Sequence, residues 1–289
     1  MPAKTLRFSL SFQKATLPAC LALAVAAGPL AAQDEDAVPE RIDLSNFPGE
    51  IVDKVVVPIP AEIFAVLDKL GEPDWNSGIN LPEDEPQGTE RAVLALTFGS
   101  LVGEGFIAVQ AKNADEIQKI GRRVLSLAES LGLASAVRPH SLSIIETAGD
   151  RDWDTVREEL DSTQQTVRDT MAKLRDDELS ELVSLGGWLR GTHVVTSFIA
   201  ESFNQDKAEI LNQPGLISHF RETLEAMEGP SKNSPQIRAI STGLARLEAI
   251  IAAEGELSEE DVRELRDICR EMLGEFYFTK PEADSESAN

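Results

Sequence analysis

The sequence predicts an all-α protein, an antiparallel multi-helix bundle with coiled-coil-like packing and an extended N-terminal arm. Three stretches carry that reading. Ile117, Ile120, Val124, Leu127 and Leu131 follow alternating spacings of three and four residues. So do Ile237, Ile240, Leu244, Leu247 and Ile251, and again Val262, Leu265, Cys269, Met272 and Phe276. Such spacing places every member of a set on one face of a helix, where it can be buried against a neighbour.

The chain of 289 residues opens on a basic region (Lys4, Arg7, Lys14) followed by an apolar run from Ala15 to Ala32. That order reads as a secretory signal, with cleavage expected after Ala32. The Leu17-Pro18-Ala19-Cys20 segment loosely resembles a lipobox, but Cys20 lies directly after the charged region, with the apolar run still ahead of it. The protein is therefore expected to be exported, periplasmic or secreted. After cleavage Cys269 alone remains, so no internal disulfide can form and the fold must rest on its core.

Formal net charge is −23, and removing residues 1–32 takes away three basic and no acidic side chains, leaving −26. Nucleic-acid affinity comes largely from Lys and Arg displacing counterions, so nucleic acid is disfavoured as a partner. An anionic membrane surface is disfavoured for the same reason.

Residues 33–46 are charged and poor in large apolar side chains, and read as a disordered acidic linker. Residues 281–289 read as a disordered tail. Residues 47–88 hold an extended arm, a short helix and a long loop. Within them Ile51–Pro60 is β-branched and punctuated by proline, hence extended without forming a central strand. A helix is expected over Ala61–Leu70, stopped by Gly71 and Pro73. Residues 71–88 carry Pro, Gly and Asn throughout and read as a surface loop, with Trp75 pinning it to the body.

Residues 89–280 form the predicted helical bundle. Breaks are expected at Pro139, Gly149, Pro214 and Pro230, giving seven or eight substantial helices. Ser258, with Asp261 three residues on, reads as a capping box that opens the second arm of a C-terminal αα-hairpin. The helix from Trp153 to Arg175 has a thinner apolar stripe and belongs on the outside. Phe98-Gly-Ser-Leu-Val and Leu185-Gly-Gly-Trp-Leu echo each other at an offset of 87 residues.

Few residues invite a chemical reading. Ala92–Ala111 is 20 residues long with Glu104 as its only charge; length permits a membrane span, but a central carboxylate is costly there and the expected reading is a helix buried on all sides in the bundle. Glycines 99, 103 and 105 then mark close backbone approaches. Asp150, Asp152, Asp154 and Asp161 count like an EF-hand loop, yet Thr155 stands where its glycine belongs. Acidic residues in a first helical turn are expected from capping and the helix dipole alone. His140, His193 and His219 show no metal-binding spacing, and neither HExxH nor CxxC occurs, so no metal and no cofactor is called for.

Gly186-Gly-Trp-Leu-Arg-Gly-Thr-His193 gathers polar and aromatic groups on a small-residue helix. Arg190 shares a side with Gly186, Gly187 and Ser197, as Glu104 does with Ser100, Ala108 and Ala111. Each face carries a single charge, and a buried charge needs a partner, so Glu104 and Arg190 are expected to meet where the two helices pack. Two functions from different classes fit these features. One is a non-enzymatic helical scaffold or adaptor of the bacterial cell envelope, acting on an unidentified protein partner through its long loop and acidic faces. The other is a small-ligand binder or sensor with a pocket near Glu104, Trp188, Arg190 and His193. The sequence leaves the oligomeric state open, and it supplies no nucleophile, base or metal set on which to rest an enzyme.

Overall fold

The computed structural model describes residues 50–52, 55–57, 60–82, 90–174, 176–253 and 255–278. The expected signal, the acidic linker and the C-terminal tail lie outside them. The predicted arm appears as a hairpin of two short strands, β1 (Glu50–Val52) and β2 (Val55–Val57), paired antiparallel with Ile51 opposite Val56. Everything else that is regular among the described residues is helical, as the apolar spacing predicts.

Helix α1 (Pro60–Lys69) ends at Gly71, whose φ of +80° is the left-handed turn that favours glycine. A four-residue helix, α2 (Trp75–Gly78), follows. The bundle comprises α3 (Arg91–Gln110), α4 (Ala114–Leu131), α5 (Ala134–Gly149), α6 (Trp153–Leu174) and α7 (Asp177–Glu201). It continues through α8 (Gln205–Ala208), α9 (Pro214–Ala226), α10 (Pro235–Ile251) and α11 (Glu259–Gly274). Eight of these run 13 residues or more, among the described residues.

Local chemistry sets the boundaries. The side chains of Asn113, Asp176 and Ser234 accept hydrogen bonds from the first-turn amides of α4, α7 and α10. Ser258 and Asp261 form the reciprocal capping box that opens α11. Asp152, one of the residues in the calcium-like count, caps α6 by accepting from the Thr155 backbone N–H at 3.3 Å.

Pro139 departs from expectation. It lies inside α5 and does not divide it. A proline removes one intrahelical hydrogen bond. Packing on α4 and α6 from both sides, with Val137, Ser141 and Ala148 buried, outweighs that loss here.

Short links make consecutive helices antiparallel, and packing runs in the spatial order α9, α10, α11, α7, α3, α4, α5, α6. Four reversals separate α3 from α7, so these two central helices lie parallel. They are apolar nearly all round because they are covered on several sides. The predicted C-terminal hairpin is present as α10 and α11, with Leu247, Leu265 and Met272 all buried. Helix α6 packs chiefly on α5, with smaller contacts to α1, α7 and α3.

Candidate functional site

The centre of the molecule is the crossing of α3 and α7. A Cβ built on Gly99 would stand 1.9 Å from the Val183 carbonyl oxygen, and one on Gly186 would stand 2.0 Å from the Leu96 oxygen. These two contacts are equivalent, since Leu96 and Val183, like Gly99 and Gly186, are 87 residues apart. The sequence echo therefore marks the two halves of one symmetric crossing. Gly103 also takes part, whereas a Cβ on Gly105 would meet only Ile120 at an ordinary 3.8 Å. Ser100 Oγ adds a hydrogen bond to the Gly186 carbonyl at 2.9 Å.

The close approach brings Glu104 and Arg190 together as their small-residue faces predict. Arg190 Nε donates to Glu104 Oε2 at 2.5 Å and Nη2 to Oε1 at 3.1 Å, with the two side chains 1% and 0% exposed. The surroundings complete the pair. The Asn80 backbone N–H donates to Glu104 Oε1, Tyr277 Oη lies 3.3 Å from Oε2, and Arg190 Nη2 donates to the Gly78 carbonyl at 2.6 Å.

Residues 78–80 belong to the predicted surface loop, so its described part is tied to the core rather than held out to solvent. Trp75 is buried there, edge-on to Phe198 with ring centroids 5.1 Å apart. Asn113 Nδ2 donates to Asn76 Oδ1 at 2.8 Å, and Arg123 donates to the Pro82 carbonyl. Neither Gly78 nor Asn80 was identifiable in advance, because they contribute backbone groups that any residue carries.

His193 stands beside this cluster. Its ring is 5.9 Å from that of Phe278, over which the Arg190 guanidinium also lies at 5.8 Å. Burial, reinforced by the Arg190, Arg270 and Arg266 cations, pushes the imidazole down to about 3. Both its nitrogens and Arg190 Nη1 are closed off from solvent with no hydrogen-bond partner among the described residues. Tyr277 is raised well above the usual phenol range by burial and by the Glu104 carboxylate. Burial likewise pushes the Cys269 thiol up to about 12, so it is an inert core residue.

Trp188 lies elsewhere. It points away from the ion pair, its ring 5.5 Å from that of Phe220 and its Nε1 donating to Gln213 Oε1 at 3.2 Å. On that side of α7 the structure holds a cavity of about 660 Å³. Val102, Gly103 and Phe106 of α3 and Gly187, Trp188, Gly191, Thr192 and Val195 of α7 line it, with Leu160, Val167 and Met171 of α6 opposite. Residues of α1, α4, α5, α9, α10 and α11 add to the lining. Leu160, Val167, Val183, Val102 and Trp188 are only partly buried although apolar, because they face this space.

The other histidines act between helices. His219 Nε2 is 2.9 Å from Glu181 Oε2, joining α9 to α7, rather than pairing with Glu222 on its own helix. His140 bridges Glu159 and Thr166 of α6 at 3.2 and 3.0 Å. No cluster of three His, Cys, Asp or Glu side chains suited to a metal occurs among the described residues. No known family, curated protein or solved structure matches this chain.

Proposed function

We propose that this protein binds an elongated apolar or amphiphilic small molecule in the cavity beside Trp188, acting as a carrier or sensor in the exported compartment that residues 1–32 predict. The single observation behind this reading is the cavity itself, about 660 Å³ and walled almost wholly by apolar and small side chains. Ligand sites typically occupy about 300–1,000 Å³, with apolar walls and a few polar groups to orient the occupant. At about 30 Å³ per water-sized group, this one has room for roughly twenty such groups. For the scaffold or adaptor reading, Gly78 and Asn80 of the described part of the loop are committed to the ion pair, which leaves the acidic faces as its support among the described residues.

Gly191 supplies the test. It lines the cavity, and a Cβ placed there meets nothing within 4 Å. Gly191→Leu should therefore fill the space while stabilising α7 by about 0.5–1 kcal/mol through helix propensity. The neutral fluorophore N-phenylnaphthylamine should bind the purified protein, quench Trp188 and lose at least tenfold in affinity in the variant. A wild-type protein that takes up no probe, or a variant that binds it equally well, refutes the reading.

A further inference from the structure

The cavity is chemically graded along α7. Its lining on this helix begins at Asp177, Ser180, Glu181, Val183 and Ser184 and passes into Gly187, Trp188, Gly191, Thr192 and Val195, with all the charge at the first end. Asp177 at one end is exposed, the lining from Ser180 to Thr192 is half-buried, and Val195 at the other end is buried. With a rise of about 1.5 Å per residue, the polar mouth spans roughly 10 Å and the apolar interior roughly 12 Å. Among the described lining residues there are two carboxylates and no Lys, Arg or His. A head group at this mouth meets Asp177 and Glu181, the latter held in place by His219 from α9.

Resting on the ligand-binding reading above, we infer that the ligand is a single-chain amphiphile with a cationic head group of the ammonium type, its chain beside Trp188 and its head between Asp177 and Glu181. Charge complementarity selects this class, the two carboxylates outweighing the roughly half positive charge at the α7 N-terminus. An anionic head of the same chain length brings a third negative charge to the two carboxylates, and like charges at a shared site repel. An uncharged head gains only hydrogen bonds from Ser180 and Ser184. Deep binding of the head is ruled out by the apolar interior, where an unpaired ammonium loses its hydration with nothing in return.

The experiment displaces N-phenylnaphthylamine with dodecyltrimethylammonium, dodecyl maltoside and dodecanoate, each below its micelle concentration, at moderate salt. The cation should displace the probe at a concentration at least tenfold below that of dodecanoate, with the neutral amphiphile between them. In the Asp177→Asn, Glu181→Gln double variant the probe should bind as before and the gap between cation and anion should fall to within about twofold. Probe binding with dodecanoate equal or superior overturns the head-group assignment and leaves the cavity reading standing. A cation preference that survives both substitutions arises from the overall negative charge and overturns the assignment equally. No probe binding at all defeats the cavity reading itself.

Discussion

Removing the charge of Glu104 while keeping its shape should be among the most damaging single changes this fold can suffer. In Glu104→Gln the Arg190 guanidinium stays 1% exposed and loses its counter-charge. Breaking a buried ion pair from one side costs about 3–5 kcal/mol, because the remaining charge is left uncompensated. Arg190→Met should cost a similar amount, stranding the carboxylate with the Asn80 N–H and Tyr277 and leaving the Gly78 carbonyl without its donor. In the double variant neither charge remains. What persists is mainly the Gly78 carbonyl without its donor, at about 1–3 kcal/mol, because the amide oxygen introduced at position 104 still accepts from the Asn80 N–H. The double change should thus cost less than the sum of the singles by at least about 2 kcal/mol. Urea unfolding followed by circular dichroism gives all three values by linear extrapolation. Either single should also free residues 71–82 and expose Trp75, read as a red shift in its emission before global unfolding. Additive singles, or a Glu104→Gln loss below about 1 kcal/mol, would refute the claim that this pair organises the core.

Two further perturbations probe the same centre. Gly99→Ala and Gly186→Ala each push a methyl into the facing backbone, at 1.9 and 2.0 Å, so neither can be accommodated by a side-chain rotation. Each should destabilise by about 3 kcal/mol despite a gain of about 1 kcal/mol in helix propensity, and wild-type stability in either variant on urea unfolding would contradict the observed crossing. His193 gives the protein a pH dependence of definite sign. Its folded value, about 3, lies below the ordinary 6.5, so the unfolded chain takes up the proton first and stability falls as pH drops through that window. Between pH 7.5 and 5 this group accounts for about 2 kcal/mol, and His193→Phe should flatten the stability profile by that amount. An unchanged slope would mean that the imidazole is not held neutral.

Much of this was readable because it depends on local or pairwise rules. The apolar stripes became α4, α10 and α11, and Ser258 with Asp261 became a capping box. The Glu104–Arg190 pair followed from two lone charges on small-residue faces, which only close helix packing can satisfy. The glycines of the echo were visible too, although their reciprocal contact depends on α3 and α7 lying parallel, a property set by the four intervening turns. Proline was over-read at position 139 because its local cost was weighed without the packing on both sides of α5. Least readable were the groups that close the pair. Gly78 and Asn80 act through their backbones, and no residue type announces that.

The cavity was unreadable for a different reason. A void is set by how far helices stand apart, while the residues that line it look like ordinary core. Yet helix geometry, once the crossing is known, separates the two sides of the central pair. Glu104 and Val102 are two positions apart on α3, as are Arg190 and Trp188 on α7, and two positions turn a helix by about 200°. Each helix therefore presents its charge to one side of the crossing and its cavity-lining residue to the other. The charged side is filled by residues 78–80 and by Tyr277. The opposite side faces α6, which packs chiefly on α5 and less on α7 and α3, and no described residue fills the space left between them. Grouping Glu104, Trp188, Arg190 and His193 by proximity in sequence merges those two sides. The helix turn divides them into an ion pair that sets the register of α3 against α7 and a neighbouring space whose shape that register maintains.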